Sequence, residues 1–213
     1  MATRKSIDQL RLDGGVLCLD FINTIDNRKK KESVDYLDSY AGLLKWYQHA
    51  GTLSPKILHT LERLGKDYPQ KAAMVFEKSI RLRELLHQLF VAMAGGRKPA
   101  ATDLLQFNNY LSEAFANLEM TWQEGNGKLI FNAPALEQVY WWLVKSAVEL
   151  YTSGRQAAIK ECPSCGWLFL DNSRNGSRKW CSMSTCGDVD KVTRRVRNRK
   201  YEIKQQRDAP GDK

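Results

Sequence analysis

Apolar residues recur at helical spacing along most of the first 150 positions of the sequence. Where such a run follows a capping residue or a proline and ends at glycine, it predicts one helix. Ser54 followed by Pro55 is typical of an N-cap and a first helical turn, and Gly51 and Gly95-Gly96 are typical stops. The pattern predicts helices over 36–50, 55–64, 69–94, about 102–118 and 134–150.

Two segments of this first part depart from the helical pattern. The compact apolar run 16–26 fits either a short helix or a buried strand, and its spacing does not decide between them. Within 120–131, apolar residues flank a Gly-Asn-Gly sequence, which predicts a β-hairpin. We therefore expect a mainly α, multihelical N-terminal domain with one β-hairpin over residues 1–154, ending at the turn 152–154.

The last quarter of the chain has a different pattern. The short apolar run 167–170 is typical of a strand, and the Asn-Gly pair at 175–176 is a strong hairpin signal, with 178–180 as the return arm. Apolar residues at helical offsets then predict a helix with one apolar seam: Val189, Val192, Val196 and Ile203. These elements predict a small second module over 155–207 and a polar tail over 208–213.

The amino-acid composition and the charge distribution narrow down the kind of protein that the sequence can form. The chain has 213 residues, of which 43% are hydrophobic, so it can form a substantial core. Its net charge is +9, and seven of these nine excess positive charges follow residue 154. No segment offers the roughly twenty continuous apolar residues of a membrane span, and the N-terminus lacks the apolar run of a secretory signal. We therefore expect a cytoplasmic protein, without membrane association, whose thiols stay reduced.

Four of the five cysteines lie in one short stretch, spaced as C-x2-C, fifteen residues, then C-x4-C. Four such thiols can form two disulfides, bind one metal ion or remain as buried free cysteines. The expected compartment and the paired spacing favour a metal. The sequence predicts a treble-clef-like module of knuckle, hairpin and basic helix around one structural zinc ion, bound by Cys162, Cys165, Cys181 and Cys186. Four protein ligands would leave no open coordination position for catalysis.

The predicted C-terminal helix is strongly basic, with six cations and no acid over 191–200. Such a run is often only a solvated face, but guanidinium groups also form paired hydrogen bonds to phosphates and to guanine in a major groove. This pattern does not separate DNA from RNA. With the cations near the third cysteine, the candidate nucleic-acid contacts are Arg174, Arg178, Lys179, Lys191, Arg194, Arg195, Arg197, Arg199 and Lys200.

Polar residues in and after the run 16–26 indicate a second candidate site, a pocket for a small-molecule effector. Its members would be Asp20, Asn23, Thr24 and Arg28, with Arg81 or Arg83. The alternative is that these side chains cap helices and pair with an arginine inside the core, because buried polar groups need partners. The sequence contains no Walker, nucleotide-binding or hydrolase motif, and we do not expect an enzyme.

Several short motifs carry a resemblance to a known family. They are KEC and CG around Cys162 and Cys165, then LFLD, SRNGSR, WCSM and a final CG at Cys186, with LCLDF and NT over 17–24. The chain resembles, over nearly its whole length, the bacterial family that joins an N-terminal ABATE domain to a CGNR zinc finger. In place of the family's Cys-Gly-Asn-Arg ending it has Asp188 and Val189 after Cys-Gly, so the zinc ligand is kept and the arginine is absent.

The resemblance implies DNA binding and transcription regulation in response to stress. We accordingly expect a regulator whose N-terminal domain senses an effector or forms a homodimer, while the zinc module contacts DNA. The alternative is a zinc-dependent protein-interaction module, whose arginines contact an acidic protein or the chain's own large domain. An enzyme with a pocket around Asp20 is a third hypothesis.

Overall fold

Helices and two small antiparallel sheets make up the protein in a computed structural model, which describes residues 6–123 and 125–208, with side chains described as far as Lys200. The helices are α1 Leu17–Ile22, α2 Tyr40–Ala50, α3 Pro55–Asp67, α4 Pro69–Ala94, α5 Ala101–Phe115, α6 Gln138–Thr152 and α7 Asp188–Asp208. The strands are β1 Leu118–Gln123, β2 Asn126–Phe131, β3 Ile159–Glu161 and β4 Leu168–Leu170. The mainly α prediction is confirmed. Of the predicted tail, 209–213 lies outside the described residues.

Local capping explains where several helices begin and end. The Ser39 hydroxyl accepts a hydrogen bond from the Gly42 backbone N–H (3.0 Å) at the start of α2, and Gly51 ends that helix in the left-handed conformation. The Ser54 hydroxyl caps α3 in the same way, with Pro55 as the first helical residue. These signals lie within a few residues of the helix ends, which is why the sequence alone could indicate them.

Some predicted boundaries are wrong by a few residues. The undecided run 16–26 contains the short helix α1. Helix α2 starts at Tyr40 rather than at 36, because Tyr36 is held in an extended segment by a hydrogen bond to the Thr24 carbonyl (2.9 Å). Helix α5 ends before β1, and α6 starts four residues after Pro134. In the hairpin, Gln123 pairs with Asn126, so the Gly-Asn-Gly sequence runs from the turn into β2.

Helix α4 lies at the centre of the fold. It packs against the other helices of the first part and against both strands of the second sheet, that is, against α1, α2, α3, α5, α6, β3 and β4. Leu82, Leu86 and Phe90 on this helix are almost completely buried. Helix α1 packs against α4, α6 and β4. Among the described helices, none is both long and apolar enough to cross a bilayer.

The second sheet joins the cysteine segment to the helical body. Strand β4 pairs antiparallel with β3, Ile159 opposite Leu170. The β4 side chains belong to the same buried cluster as the helices. The Leu170 backbone N–H donates to the Gly14 carbonyl (2.9 Å), and the Trp167 indole N–H donates to the Ile25 carbonyl (2.6 Å). The cysteine cluster is therefore fixed beside the helical core.

The hairpin predicted around Asn175-Gly176 is wrong in its strand pairing. Strand β4 pairs with β3, which precedes it, and residues 178–180 form no strand. The chain does turn at Gly176, whose N–H donates to the Ser173 carbonyl (3.1 Å). It then continues as an irregular loop toward Cys181. The hairpin of the module is β3–β4, and the first cysteine pair lies at its turn.

Candidate metal centre and basic surface

The four clustered cysteines bring their sulfurs together. All four Sγ atoms lie within 4.8 Å of one another, and the Cys165–Cys181 and Cys181–Cys186 Sγ distances are both 3.6 Å. A tetrahedral zinc site with Zn–S bonds of about 2.3 Å has S–S edges of about 3.8 Å. All four side chains are buried, and none forms a disulfide. The cluster therefore fits one zinc ion, and the metal prediction is confirmed.

A backbone knuckle, residues 162–166, positions the first cysteine pair. The Cys162 N–H donates to the Trp167 carbonyl (2.8 Å), and the Gly166 N–H donates back to the Cys162 carbonyl (2.9 Å). This tight turn requires a positive φ of 76° at Gly166, a conformation that residues with a Cβ adopt at a cost. A Cβ there would also lie 3.1 Å from the Arg28 Cβ. Glycine is thus needed for both the turn and the contact.

The second cysteine pair lies at the start of the basic helix. Cys181 precedes and Cys186 belongs to a wide helical turn, Met183–Gly187, which is closed by the Gly187 N–H donating to the Ser182 carbonyl (3.1 Å). Helix α7 continues directly from this turn, which is its main packing partner. A metal bound by both cysteine pairs therefore fixes the first turn of α7 to the body of the protein.

The thiols need a cation before all of them can ionise. Hydrogen bonding to Cys162, together with burial, raises the pKa of Cys165 and of Cys181 far above the ordinary value. The same thiols hydrogen bond to Cys162 and lower its pKa. Without a cation, Cys162 therefore favours the thiolate, while Cys165 and Cys181 stay protonated. A zinc ion would ionise all four, and with all four positions taken by sulfur it would be structural.

Asp171 organises the loop between the cysteine pairs. Its Oδ1 accepts hydrogen bonds from the Ser173 N–H (2.9 Å) and hydroxyl (2.6 Å). Its Oδ2 accepts from the Arg178 N–H (3.0 Å) and the Lys160 ammonium (2.6 Å). Lys160 and then Ser173 hold the Asp171 pKa far below its ordinary value. We did not identify this role from the sequence, although Asp-x-Ser is a typical side-chain-to-backbone turn signal.

Arg178, a predicted nucleic-acid contact, is half-buried and bonds to the module itself. Its guanidinium donates to the carbonyls of Trp180 (3.0 Å) and Cys181. It also stacks over the Phe169 ring, 4.5 Å from the ring centre. These contacts direct Nε and one terminal nitrogen of Arg178 to the backbone beside the metal ligand. Arg174 and Lys179 of the same loop are exposed.

The six cations over 191–200 of α7 are all exposed to solvent. They are Lys191, Arg194, Arg195, Arg197, Arg199 and Lys200. Lys191 forms an ion pair with Asp188 (3.1 Å) at the start of the helix, where negative charge is favourable. The apolar seam is exposed as well: the exposed fractions of Val189, Val192 and Val196 are 58%, 58% and 51%. The side chain of Ile203, the fourth predicted member, lies outside the described part.

The predicted effector pocket is wrong for Asn23 and Thr24. Both are fully buried and fully engaged. The Asn23 amide binds the Leu168 backbone, and the Thr24 hydroxyl donates to the Phe21 carbonyl (2.8 Å) and accepts from Arg83 (2.9 Å). These side chains complete hydrogen bonds inside the core, as the alternative interpretation expected.

The charged members of that set also have protein partners. Arg83 is buried and forms a bidentate pair with Asp35 (2.8 and 2.6 Å). Arg28 donates to the Ile22 carbonyl and to Glu84 (2.7 Å). Asp20 accepts from the Gly14 N–H (2.8 Å), and Arg81 lies on the exposed side of α4 beside Glu77. Arg83 also donates to Glu84 (2.8 Å), so Thr24, Arg83 and Arg28 are joined through Glu84 in one structural network. These groups bond to one another and to the backbone.

Comparison with known families agrees with this architecture. Residues 15–154 match the profile of ABATE, described as "Putative stress-induced transcription regulator". The match covers more than half of the 213 residues. The chain belongs to the ABATE family. Residues 159–200 of this ABATE-family chain match the CGNR zinc finger, which includes all four clustered cysteines. The recognised resemblance is confirmed. Among curated proteins, none matches the sequence.

Proposed function

We propose that this ABATE-family protein is a DNA-binding transcription regulator, in which the zinc finger presents α7 to the phosphates of duplex DNA. The observation that carries the proposal is the exposure of six cations, without an acid, over 191–200 of a helix anchored at a metal cage. Helix α7 has 21 residues and at 1.5 Å per residue is about 30 Å long. The major groove of B-DNA admits a helix of this kind.

Two features support DNA over a passive solvated face. The cations cover all sides of the helix except the valine seam, so whichever side lies in a groove meets phosphates with several guanidinium groups. The family description also points to transcription. Arg174 and Lys179, both exposed on the loop before Cys181, add two further cations to the zinc finger. The residues predicted to form an effector pocket instead form contacts within the protein, so the proposal includes no effector site.

Salt dependence of binding tests the proposal. The protein is titrated with fluorescent random duplex at several salt concentrations, and the slope of log K against log[salt] is measured, at about −0.9 per neutralised phosphate. Replacing Arg194, Arg195 and Arg197 together by Ala should reduce the magnitude of the slope by about 3. A control variant removes two exposed cations on α3, Lys56→Ala with Arg63→Ala, and should leave the slope unchanged. No binding, or an unchanged slope in the triple variant, contradicts the proposal.

A protein-interaction module is the second candidate, and the exposed valine seam favours it. Three valines more than half exposed at helical spacing form an apolar strip, of the kind that an amphipathic partner helix covers. This candidate predicts no DNA binding at either low or high salt. Replacing Val192 and Val196 by Ser would then abolish partner binding or self-association, which light scattering measures. Titration with duplex DNA would give no binding signal, with or without these substitutions.

A further inference from the structure

A second basic segment lies in the ABATE domain, on the loop of residues 26–34, here called the lysine loop. Its ends are joined by a hydrogen bond from the Asp26 N–H to the Val34 carbonyl (2.9 Å). Inside it, the Lys29 N–H donates to Asn27 Oδ1 (2.9 Å). The loop carries Lys29, Lys30 and Lys31 in succession, all exposed. Glu32 follows them and is exposed as well, so this closed, internally bonded loop presents three cations and one carboxylate.

The lysine loop is fixed against the zinc knuckle. The Arg28 N–H donates to the Cys165 carbonyl (2.8 Å), so a metal-ligand residue bonds directly to the loop backbone. The Lys29 ammonium donates to the Pro163 carbonyl (3.2 Å) and pairs with Glu161 (3.2 Å). Gly166 packs against this part of the loop. The position of the loop relative to the zinc finger is thus set by backbone contacts.

The same loop faces the beginning of α7 across a cleft. The cleft has a volume of about 620 Å³ and is lined from one side by Lys30 and Arg11 and from the other by Thr185 and Val189. Arg11 spans it: the guanidinium donates to the Thr185 hydroxyl and lies 5.5 Å from the Trp167 ring centre. Lys30 of the ABATE domain and Arg11, which precedes that domain, therefore border the same opening as the first turn of the basic helix.

Only part of the charge on this surface is neutralised by residues that the structure describes. Arg11 pairs with Asp13 (3.2 Å). Lys29 is paired with Glu161, whereas neither Lys30 nor Lys31 forms an ion pair with any residue that the structure describes. Asp26 is the carboxylate among the cleft residues, and it accepts the Tyr36 hydroxyl (3.4 Å). Fixing unpaired cations beside a polycationic helix costs electrostatic repulsion, which a polyanion bound across both removes.

From this juxtaposition we infer that the ABATE domain contacts DNA directly, with Lys30 and Lys31 binding phosphates that flank the segment covered by α7. The inference rests on the proposed function and adds a second, separate contact surface to it. Duplex DNA carries a phosphate charge about every 1.7 Å along its axis, so a duplex lying on α7 presents phosphates to both sides of the cleft. The zinc ion then fixes the spacing between the two contact surfaces.

The test uses the full-length, zinc-loaded protein and fluorescent random duplex at several salt concentrations. Three double variants each remove two exposed cations: Lys30→Ala/Lys31→Ala in the lysine loop, Arg194→Ala/Arg195→Ala in α7, and Lys56→Ala/Arg63→Ala on α3 as control. Metal content and circular dichroism verify that each variant is folded. We expect the first two to reduce the magnitude of the salt slope by about 2 each, and the control to leave it unchanged.

The outcomes separate the inference from the proposed function. If the α7 variant flattens the slope and the lysine-loop variant does not, the inference is overturned and the proposed function stands. If the wild-type protein does not bind duplex, both fail. If all three variants, including the α3 control, lower the slope equally, the effect is one of net charge, and the assignment of Lys30 and Lys31 is overturned.

Discussion

The side-chain amide of Asn23 hydrogen bonds to both backbone groups of Leu168: its Oδ1 accepts from the Leu168 N–H at 3.0 Å, and its Nδ2 donates to the Leu168 carbonyl at 2.8 Å. Both residues are completely buried. The amide therefore takes the place of a neighbouring strand along β4, and it joins the ABATE domain to the zinc finger. In a buried site without water, no other partner can satisfy these groups.

Asn23→Ala should destabilise the protein by about 2–4 kcal/mol, because it leaves a buried N–H and a buried C=O unpaired and each costs about 1–3 kcal/mol. Urea unfolding followed by circular dichroism measures the change. Asn109→Ala, at an exposed position of α5, is the matched control and should change stability by less than about 0.5 kcal/mol. Equal stabilities for the two variants would contradict the bridging role of Asn23.

The Asn23–Leu168 pair shows where sequence reasoning reaches its limit. The two residues are 145 positions apart, and a buried Asn after an apolar run carries the same signal whether it lines a pocket or binds a strand. The capping hydroxyls of Ser39 and Ser54 lie within three residues of the N–H groups that they bind. The metal site is indicated in the same local way, by the spacing of its cysteines. Such local features are predictable, whereas the partner of a buried polar group is decided by tertiary packing.

The wrong hairpin at Asn175-Gly176 has a similar cause. The dipeptide does mark a turn, but whether the flanking residues pair as strands depends on what else competes for them. Here β4 is already paired with β3, and the Asp171 carboxylate holds the Ser173 and Arg178 N–H groups. The return arm therefore stays in an irregular loop. A turn signal alone does not supply this information.

Removing the metal should release α7 and the second cysteine pair while β3 and β4 stay folded. The two strands pack on α1 and α4, whereas α7 packs mainly on the turn Met183–Gly187, which the metal ties to the knuckle. Hydrogen exchange with and without a zinc chelator measures this. Amides over 181–200 should lose protection, and those over 159–170 should keep most of theirs.

Substitutions of single cysteines distinguish this effect from a general action of the chelator. Cys186→Ser should lose the metal and reproduce the exchange pattern of the chelated protein, because three thiolates bind zinc more weakly than four. Cys18→Ala, at the buried fifth cysteine, is the matched control and should retain one zinc per chain. Full zinc retention in the Cys186→Ser variant would exclude Cys186 from the site.

Gly166→Ala should be more destabilising than an alanine at another left-handed glycine. The residue has φ 76°, which costs a residue with a Cβ about 1–2 kcal/mol, and its new Cβ would lie 3.1 Å from the Arg28 Cβ. Gly154 has φ 72° with nothing within 4 Å of a Cβ, so Gly154→Ala measures the backbone cost alone. Unfolding free energies and zinc affinities compare them. An equal loss in both, with unchanged zinc affinity in Gly166→Ala, would show that the contact with Arg28 has no effect.

Asp20 should make stability depend on pH in the weakly acidic range. Burial raises the pKa of its carboxyl from 3.8 to about 6; the hydrogen bond from the Gly14 N–H opposes this shift, and the nearby Asp13 charge adds to it. Because the folded state binds the proton more tightly than the unfolded state, the stabilisation is complete below about pH 4 and is lost as the pH rises toward 6. The loss is at most about 3 kcal/mol.

Asp20→Asn isolates this effect, since the amide oxygen still accepts from the Gly14 N–H but cannot ionise. We expect the variant to lose less stability than the wild type between pH 4 and 6, so that the difference between their urea-unfolding free energies grows in favour of Asn and levels off above pH 7. Asp67→Asn, at an exposed position, should follow the wild-type curve. If the Asp20→Asn curve runs parallel to the wild type throughout, Asp20 is ionised at no cost in the folded protein, and its burial beside Gly14 does not set the pH response.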